Sequence, residues 1–206
     1  MNENNIKTIV FDLGGVYFTD GTKQAIKNIS SKYNVEESKI EDVLKGYMGT
    51  LYRIGKIDAN EFWNKAKRLW NLKDVDQKVL SDIWLEGYKP INGTIELVKK
   101  LKENGYEIVF LSDNVKERIV YLESQYGFLS NFNNGVLSYI VGTRKPDPVI
   151  YQEVLKVCSN PPQECVYIDD KEGLLMPAMD LGMKTIHFTS PEQTKSDLMN
   201  MGVNVD

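Results

Sequence analysis

The chain has 206 residues, of which 42% are hydrophobic and 26% charged, and its net charge is −4. This length and composition are typical of a globular protein with one main domain and room for a modest insertion, and the absence of a basic stripe argues against nucleic-acid binding. No apolar run reaches the roughly 18 residues of a membrane helix, and the polar N-terminus lacks a signal-peptide segment, so a cytoplasmic location without membrane association is expected.

A short apolar strand, Ile6–Phe11, opens the predicted elements. Residues 18–89 then contain no strand-like run, and this stretch is predicted to be helical throughout. Its four helical segments, punctuated by Gly55 and Pro90, are Lys23–Tyr33, Lys39–Met48, Asn60–Trp70 and Gln77–Tyr88. Such an all-helical insertion predicts a second, smaller domain connected to the first near Tyr17–Gly21 and Lys89–Ile91. Its tryptophans are predicted to form a small core rather than a sugar-stacking surface, and they are Trp63, Trp70 and Trp84.

Beyond the insertion, short apolar strands alternate with helices. The predicted strands are Tyr106–Leu111, Cys165–Ile168 and Lys184–Phe188, and Leu137–Val141 is predicted to add a short edge strand. The predicted helices are a first one from a capping Asn92 to about Asn104, then Val115–Tyr126, Pro148–Val157 and Glu172–Leu181. Strands that are apolar on both faces and alternate with helices predict an α/β fold, namely a Rossmann-like, three-layer, mainly parallel sheet.

Polar residues directly follow several of these strands. They are Asp12 and Gly14 after the first strand, Ser112, Asp113 and Asn114 after the second, and Asp169 and Asp170 after a later one, while Lys145 lies in a basic turn before a helix. Taken singly, such residues are usually turn formers, helix caps or solvated loops. In an open parallel sheet, however, ligands bind beyond the carboxyl ends of the strands. We therefore expect these residues to converge on one site.

Four segments in order resemble the motifs of the haloacid dehalogenase superfamily, which is dominated by phosphatases. They are IVFDLGGV, VFLSDN, GTRKPDPVIYQEVL with Lys145, and VYIDD. The third segment and DLGMKTIHF look most like the branch that holds bacterial sugar-1-phosphate phosphatases and the phosphatase half of mammalian soluble epoxide hydrolase. The resemblance covers the whole chain. It implies a core domain formed by residues 1–17 and 90–206, with a helical cap domain at 18–89.

The resemblance also implies the role of each residue. Asp12 is expected to be the nucleophile and a Mg²⁺ ligand, with the carbonyl of Gly14 and the side chain of Asp170 as further ligands. Asp169 is expected to orient a metal-bound water. The remaining predicted contacts are made to the substrate, by Ser112, Asp113, Asn114 and Lys145 in the core and by Arg53 and Lys56 in the cap loop. A solvated helix–helix turn is the alternative for that loop.

Three positions depart from the commonest phosphatase pattern. Gly14 stands where most relatives have a second aspartate as general acid and base, whose absence removes a contribution of about 10²–10⁴-fold. Asp113 stands where relatives often have asparagine, and it is expected to cap a helix, to pair with Lys145 or to replace the missing proton donor. Leu174 stands where several relatives have asparagine, and it is expected to loosen the support of Lys145.

The sequence thus favours a Mg²⁺-dependent phosphatase of a small phosphorylated metabolite, such as a sugar phosphate, acting through an aspartyl-phosphate. Two alternatives remain open. One is a non-catalytic homologue that binds a phosphorylated ligand, which Gly14 and Asp113 favour. The other is a metal-independent 2-haloacid dehalogenase, against which the pair Asp169–Asp170 argues.

Overall fold

Five parallel strands form one sheet at the centre of the computed structural model, which describes residues 5–206. They are β1 (Thr8–Phe11), β2 (Glu107–Ser112), β3 (Asn134–Leu137), β4 (Cys165–Asp169) and β5 (Lys184–His187). The order is β3-β2-β1-β4-β5, so the central β1 pairs with both β2 and β4. Along the chain, β2 and β3 are added on one side of β1, and β4 and β5 are then added on its other side. The topological switch point, where α/β sheets bind ligands, therefore lies between β1 and β4.

The insertion between β1 and β2 is helical, as predicted, but it has five helices rather than four. They are α1 (Gly21–Tyr33), α2 (Glu37–Leu44), α3 (Tyr47–Arg53), α4 (Ala59–Leu69) and α5 (Gln77–Glu86). The single helix predicted for Lys39–Met48 is wrong, because Gly46 adopts an extended backbone between α2 and α3. The prediction for the three tryptophans is confirmed, since each is at most 3% exposed and Trp63 packs edge-on against Trp84.

The two connections to the insertion lie side by side. The N–H of Thr19 donates to the carbonyl oxygen of Lys89 at 2.8 Å, and the N–H of Ile91 donates to that of Tyr17 at 3.0 Å. The chain thus leaves and re-enters the sheet at nearly the same place. The division into a core of residues 1–17 and 90–206 and a cap of 18–89 stays a prediction.

Helices cover both faces of the sheet, which confirms the three-layer architecture. The helices after the insertion are α6 (Asn92–Glu103), α7 (Lys116–Tyr126), α8 (Ser138–Val141), α9 (Pro148–Val157), α10 (Met176–Asp180) and α11 (Pro191–Asn200). Ile9 and Phe11 of β1 pack into one apolar cluster with α6, α7 and α11, whereas Val10 packs into another with α9 and α10. This alternation is the two-residue period of a strand that is buried on both faces. None of the helices in the described part of the chain is long and apolar enough to cross a bilayer.

Three local predictions are corrected by tertiary contacts. The edge strand is Asn134–Leu137, and the apolar run after it forms the short helix α8, whose Ser138 hydroxyl donates to the carbonyl oxygen of Arg53. Asn92 does not cap α6: the residue before the helix is Ile91, which is held by its bond to Tyr17. The helix predicted for Glu172–Leu181 is interrupted, because Pro177 has no N–H to continue it and instead starts the first turn of α10.

Candidate active site

Three carboxylates meet at the carboxyl ends of β1 and β4. Asp12 follows β1, while Asp169 ends β4 and Asp170 follows it. The two strands are adjacent and in register, with Phe11 opposite Ile168. One carboxylate oxygen from each acid therefore lies within 4.8 Å of the others. The sheet thus concentrates negative charge at its switch point.

Lys145 reaches into this cluster from the loop before α9. Its Nζ lies 3.1 Å from Asp12 Oδ1 and 2.6 Å from Asp169 Oδ2, and the side chain is only 2% exposed. The ammonium also donates to the hydroxyl of Tyr167 at 2.9 Å, and that hydroxyl in turn donates to Asp169. Two hydrogen bonds, to Tyr167 and Asp169, and the ion pair with Asp12 thus hold the ammonium between the acids.

The ionisation of these groups reflects burial and crowding. Burial raises the pKa of Asp12 to about 7, although the charge of Lys145 opposes the shift. Burial acts to lower the pKa of Lys145, but attraction to Asp12 and its neighbours outweighs it and holds that pKa well above the usual value. Burial also opposes the ionisation of Asp169, yet Lys145 holds its pKa below the ordinary one. The pKa of Asp170 is raised, mainly by burial. One lysine between Asp12 and Asp169 therefore leaves negative charge that a divalent cation would offset.

The turn after β1 fits such a cation. Carboxylate and carbonyl oxygens are the ligands that Mg²⁺ prefers. The turn's own hydrogen bonds use the carbonyl oxygens of Leu13 and Phe18, and among residues 5–206 no hydrogen bond uses that of Gly14. A Cβ on Gly15 would lie 2.4 Å from the carboxyl carbon of Asp170, so the turn accepts only glycine there without displacing that acid. Asp12, Asp170 and the Gly14 carbonyl are thus available as the protein ligands.

Asp113 does not cap a helix. The residue before α7 is Val115, and no side chain caps that helix. Instead, Asp113 Oδ2 accepts from Arg144 Nε at 3.0 Å, and Oδ1 accepts from the backbone N–H of Lys145 at 3.1 Å. Its partner in the next loop is therefore the backbone of Lys145 rather than the ammonium. Asp113 holds the loop that delivers Lys145 to the acids.

The predicted phosphoryl contacts after β2 are tied to each other and to the insertion. The amide of Asn114 donates to Ser112 Oγ at 3.4 Å, and both residues are buried. The backbone N–H of Asn114 donates to Ser138 Oγ at 2.9 Å, and that hydroxyl donates to the carbonyl oxygen of Arg53 at 2.7 Å. The C-terminal end of α3 is thereby held over the end of β2.

A cavity of about 200 Å³ lies between these strand ends and the helical insertion. Asp12, Gly14, Ser112, Asp113, Asn114 and Lys145 line it. Arg53 also lines it, but its Nη1 donates to the carbonyl oxygens of Leu44 and Gly49 and so helps to build the insertion. Lys56 is exposed and does not line the cavity, so the structure does not bring this predicted contact to the site.

The family model described as haloacid dehalogenase-like hydrolase matches residues 6–173. The chain belongs to this family. A Dictyostelium discoideum protein with no described activity is 32% identical over 83% of this chain and 74% of its own length. Flavin mononucleotide hydrolase 1 of Arabidopsis thaliana is 29% identical over 65% of this chain, which spans only 54% of that protein. A haloacid dehalogenase family enzyme of Bacteroides thetaiotaomicron has a similar structure, with a TM-score of 0.76, 25% identity and coverage of 90% of this chain and 95% of that one.

Two residues at the site of this haloacid dehalogenase-like hydrolase were missed in the sequence. Tyr167 belongs to the predicted apolar strand Cys165–Ile168, and it lies two positions before Asp169 and therefore on the same face of β4. Its hydroxyl supports Lys145, which Leu174 cannot do. Arg118 lies four positions after Asn114 and donates to its side chain at 3.0 Å. Both residues could have been predicted from their spacing. A residue two positions away on a strand lies on the same face, as Tyr167 does with Asp169, and a residue four positions away at a helix start lies on the same side, as Arg118 does with Asn114.

Proposed function

We propose that this hydrolase is a Mg²⁺-dependent phosphatase that acts on a small phosphomonoester through an aspartyl-phosphate. One observation carries the proposal: Lys145 lies between Asp12 and Asp169, beside Asp170, at the switch point of the sheet. The relatives support it. The Arabidopsis protein is named for hydrolysis of a phosphomonoester, and the Bacteroides enzyme has been crystallised with magnesium and inorganic phosphate.

The nucleophile in this proposal is Asp12. Its Oδ1 lies 3.1 Å from the Lys145 ammonium, and its other oxygen forms the bond to phosphorus while the bond from phosphorus to the ester oxygen breaks and its electron pair leaves with the alcohol. Water then forms a bond to phosphorus, the bond from phosphorus to Asp12 breaks with its electron pair returning to the carboxylate, and inorganic phosphate and a proton are released. A doubly negative ester repels a carboxylate, so the attack requires neutralisation. Asp12, Asp170 and the Gly14 carbonyl would hold Mg²⁺, which would supply charge neutralisation for the phosphoryl group.

Neighbouring residues position the phosphoryl group. The Ser112 hydroxyl at the end of β2 donates to its oxygens, and Lys145 balances both the acids and the transferring charge. Asp169 accepts from Lys145, Tyr167 and the N–H of Lys171, and so holds the ammonium in place. Gly14 offers no side chain to protonate the leaving group, which therefore takes its proton from water. Esters with good leaving groups are expected to react fastest.

The cavity indicates the size of the substrate. A volume of about 200 Å³ lies below the roughly 300–1,000 Å³ of sites for drug-sized ligands. We therefore infer a small phosphorylated metabolite, and sugar phosphates are the first class to test. A cytoplasmic location stays a prediction.

Release of p-nitrophenol from p-nitrophenyl phosphate tests the proposal. We expect hydrolysis with Mg²⁺, loss of hydrolysis in EDTA and recovery when Mg²⁺ is returned. Asp12→Asn is the matched control for contaminating phosphatases. Halide release from 2-chloropropionate in metal-free buffer would instead establish a dehalogenase. Binding of inorganic phosphate with Mg²⁺ but no turnover of any phosphomonoester would establish a non-catalytic homologue.

A further inference from the structure

Arg118 is a buried arginine on the inner side of α7, where the core meets the insertion. It is 1% exposed and lines the cavity. Its guanidinium carbon lies 4.0 Å from the ring centre of Trp84 and 4.2 Å from that of Tyr88. Nη1 donates to Asn114 Oδ1 at 3.0 Å. Aromatic rings and one amide therefore hold the guanidinium in a defined orientation.

The opposite edge of the same group has no partner. Nε and Nη2 of Arg118 are buried and form no hydrogen bond within residues 5–206. Each unsatisfied buried donor costs about 1–3 kcal/mol, and more when it is charged. These two N–H groups point the same way, which is the arrangement that binds two oxygens of a carboxylate or a phosphate. Arg118, a lining residue of the cavity, thus carries an unpartnered edge of the kind that binds anions.

A second arginine adds to the unbalanced charge. Arg53 is 6% exposed and lines the same cavity, and its guanidinium carbon lies 5.3 Å from the ring centre of Trp84. Burial lowers the pKa of Arg53 to about 10, and the charge of Arg118 lowers it further in the same direction. Within the described residues neither arginine has a carboxylate within salt-bridge distance. Uncompensated buried charges destabilise a fold unless an anion completes the site.

The other cations of the cavity are paired. Arg144 contacts Asp113, Lys171 contacts Asp170, and Lys145 contacts the two acids of the sheet. Lys45 also lines the cavity and pairs with Glu41, whereas the lining acid Asp20 forms no salt bridge with either arginine within residues 5–206. Arg53 and Arg118 are therefore the cations of the cavity without an ion-pair partner in the described part of the chain. The side chain of Asn114 lies between this pair and the phosphoryl contacts, since its amide donates to Ser112 and its oxygen accepts from Arg118. Asn114 thus links Arg118 to Ser112 at the end of β2.

We propose that Arg118, with Arg53 beside it, forms a second anion subsite, and that the substrate carries a carboxylate or a second phosphate in addition to the phosphoryl group that is transferred. This inference rests on the proposed phosphatase function. It narrows the substrate to compact phosphomonoesters with two anionic ends. Neutral sugar monophosphates would bind at the Asp12 centre but leave the free edge of Arg118 unsatisfied.

Matched substrate pairs test the subsite on the wild-type enzyme with Mg²⁺. 3-Phosphoglycerate is compared with glycerol 3-phosphate, which has a hydroxymethyl group in place of the carboxylate. Propanediol bisphosphate is compared with propanediol monophosphate. We expect kcat/KM to be about 10- to 100-fold higher for the doubly anionic member of at least one pair, as for the net gain of one charge-assisted hydrogen bond. If only the first pair shows this preference, the second anionic group of the substrate is a carboxylate. If only the second pair shows it, that group is a phosphate. Ratios near one in both pairs would overturn the proposal.

Variants assign the preference to Arg118. Arg118→Met should collapse the ratio within the favoured pair, mainly through KM, and Arg118→Lys should restore only part of it because lysine lacks the two-pronged edge. Arg68→Met, at an exposed arginine of α4, is the matched control and should keep the wild-type ratio. If Arg118→Met slows both members of a pair equally, the residue is structural or touches the transferred phosphoryl group, and the subsite is refuted.

Binding measurements separate the failure of the subsite from the failure of the proposed phosphatase function. If wild-type enzyme hydrolyses no phosphomonoester, the phosphatase proposal fails, and calorimetric binding of the same substrate pairs with Mg²⁺ still tests the subsite. Tighter binding of the doubly anionic member that Arg118→Met abolishes supports it, and equal binding of both members overturns it. If Arg118→Met does not fold, the wild-type ratios and Arg118→Lys remain decisive.

Discussion

Replacing Gly15 with alanine tests how closely the turn after β1 is built around Asp170. Gly15 has a φ of +100°, and a Cβ there would lie 2.4 Å from both the carboxyl carbon and Oδ2 of Asp170. The left-handed backbone costs a non-glycine residue about 1–2 kcal/mol. Forcing an atom into filled space costs about 1–3 kcal/mol more. The expected loss of unfolding free energy is the sum, about 2–5 kcal/mol, against the roughly 5–15 kcal/mol of a typical domain.

The clash has a second consequence, because Asp170 can relieve it only by turning its carboxylate away. Gly15→Ala should therefore raise the Mg²⁺ concentration needed for half-maximal hydrolysis, and for half of the Mg²⁺-induced rise in Tm. Gly105→Ala is the matched control, since Gly105 has a φ of +88° with nothing within 4 Å of its Cβ position. It should lose only the backbone contribution and keep the wild-type Mg²⁺ requirement. Urea unfolding measures the loss of unfolding free energy in both variants, and Mg²⁺ titration measures their Mg²⁺ requirement. Equal stability and equal Mg²⁺ requirement in the two variants would refute the reasoning.

Three further predictions concern the chemistry. Asp12→Asn should lower hydrolysis by at least about 10³-fold with an unchanged circular dichroism spectrum, and wild-type turnover with deamidation excluded by mass spectrometry would contradict this. Asp170→Ala should raise the Mg²⁺ requirement more than Asp169→Ala does, as measured by Mg²⁺ titration of both variants. Equal shifts would contradict the assignment of Asp170, and not Asp169, as a metal ligand. In single-turnover measurements at saturating Mg²⁺, aryl phosphates and sugar-1-phosphates should outpace sugar-6-phosphates because Gly14 supplies no acid. Asp113→Asn should slow all of them alike, since both oxygens of Asp113 accept hydrogen bonds, and a selective loss with poor leaving groups would make Asp113 the proton donor.

The sequence by itself predicted the family, the parallel α/β sheet and the positions of the acids at the strand ends. These features depend on local patterns. A buried strand such as Ile6–Phe11 is continuously apolar because both of its faces are covered, and the first polar residue after it, Asp12, marks the end of the strand. Parallel pairing then brings the ends of neighbouring strands together whatever the details of packing.

The tertiary structure alone decided the partners of the polar side chains. Asp113 binds Arg144, 31 positions away, and Lys145 reaches Asp169 across 24. It also decided that the apolar residues after Leu137 form a helix, since the same short pattern suits a strand or a buried helix. The stacking of Arg118 between Trp84 and Tyr88 joins residues of α7 to the insertion. Local periodicity reports which residues are buried, but the partner of a buried charge depends on how distant segments pack, and only the folded chain determines that.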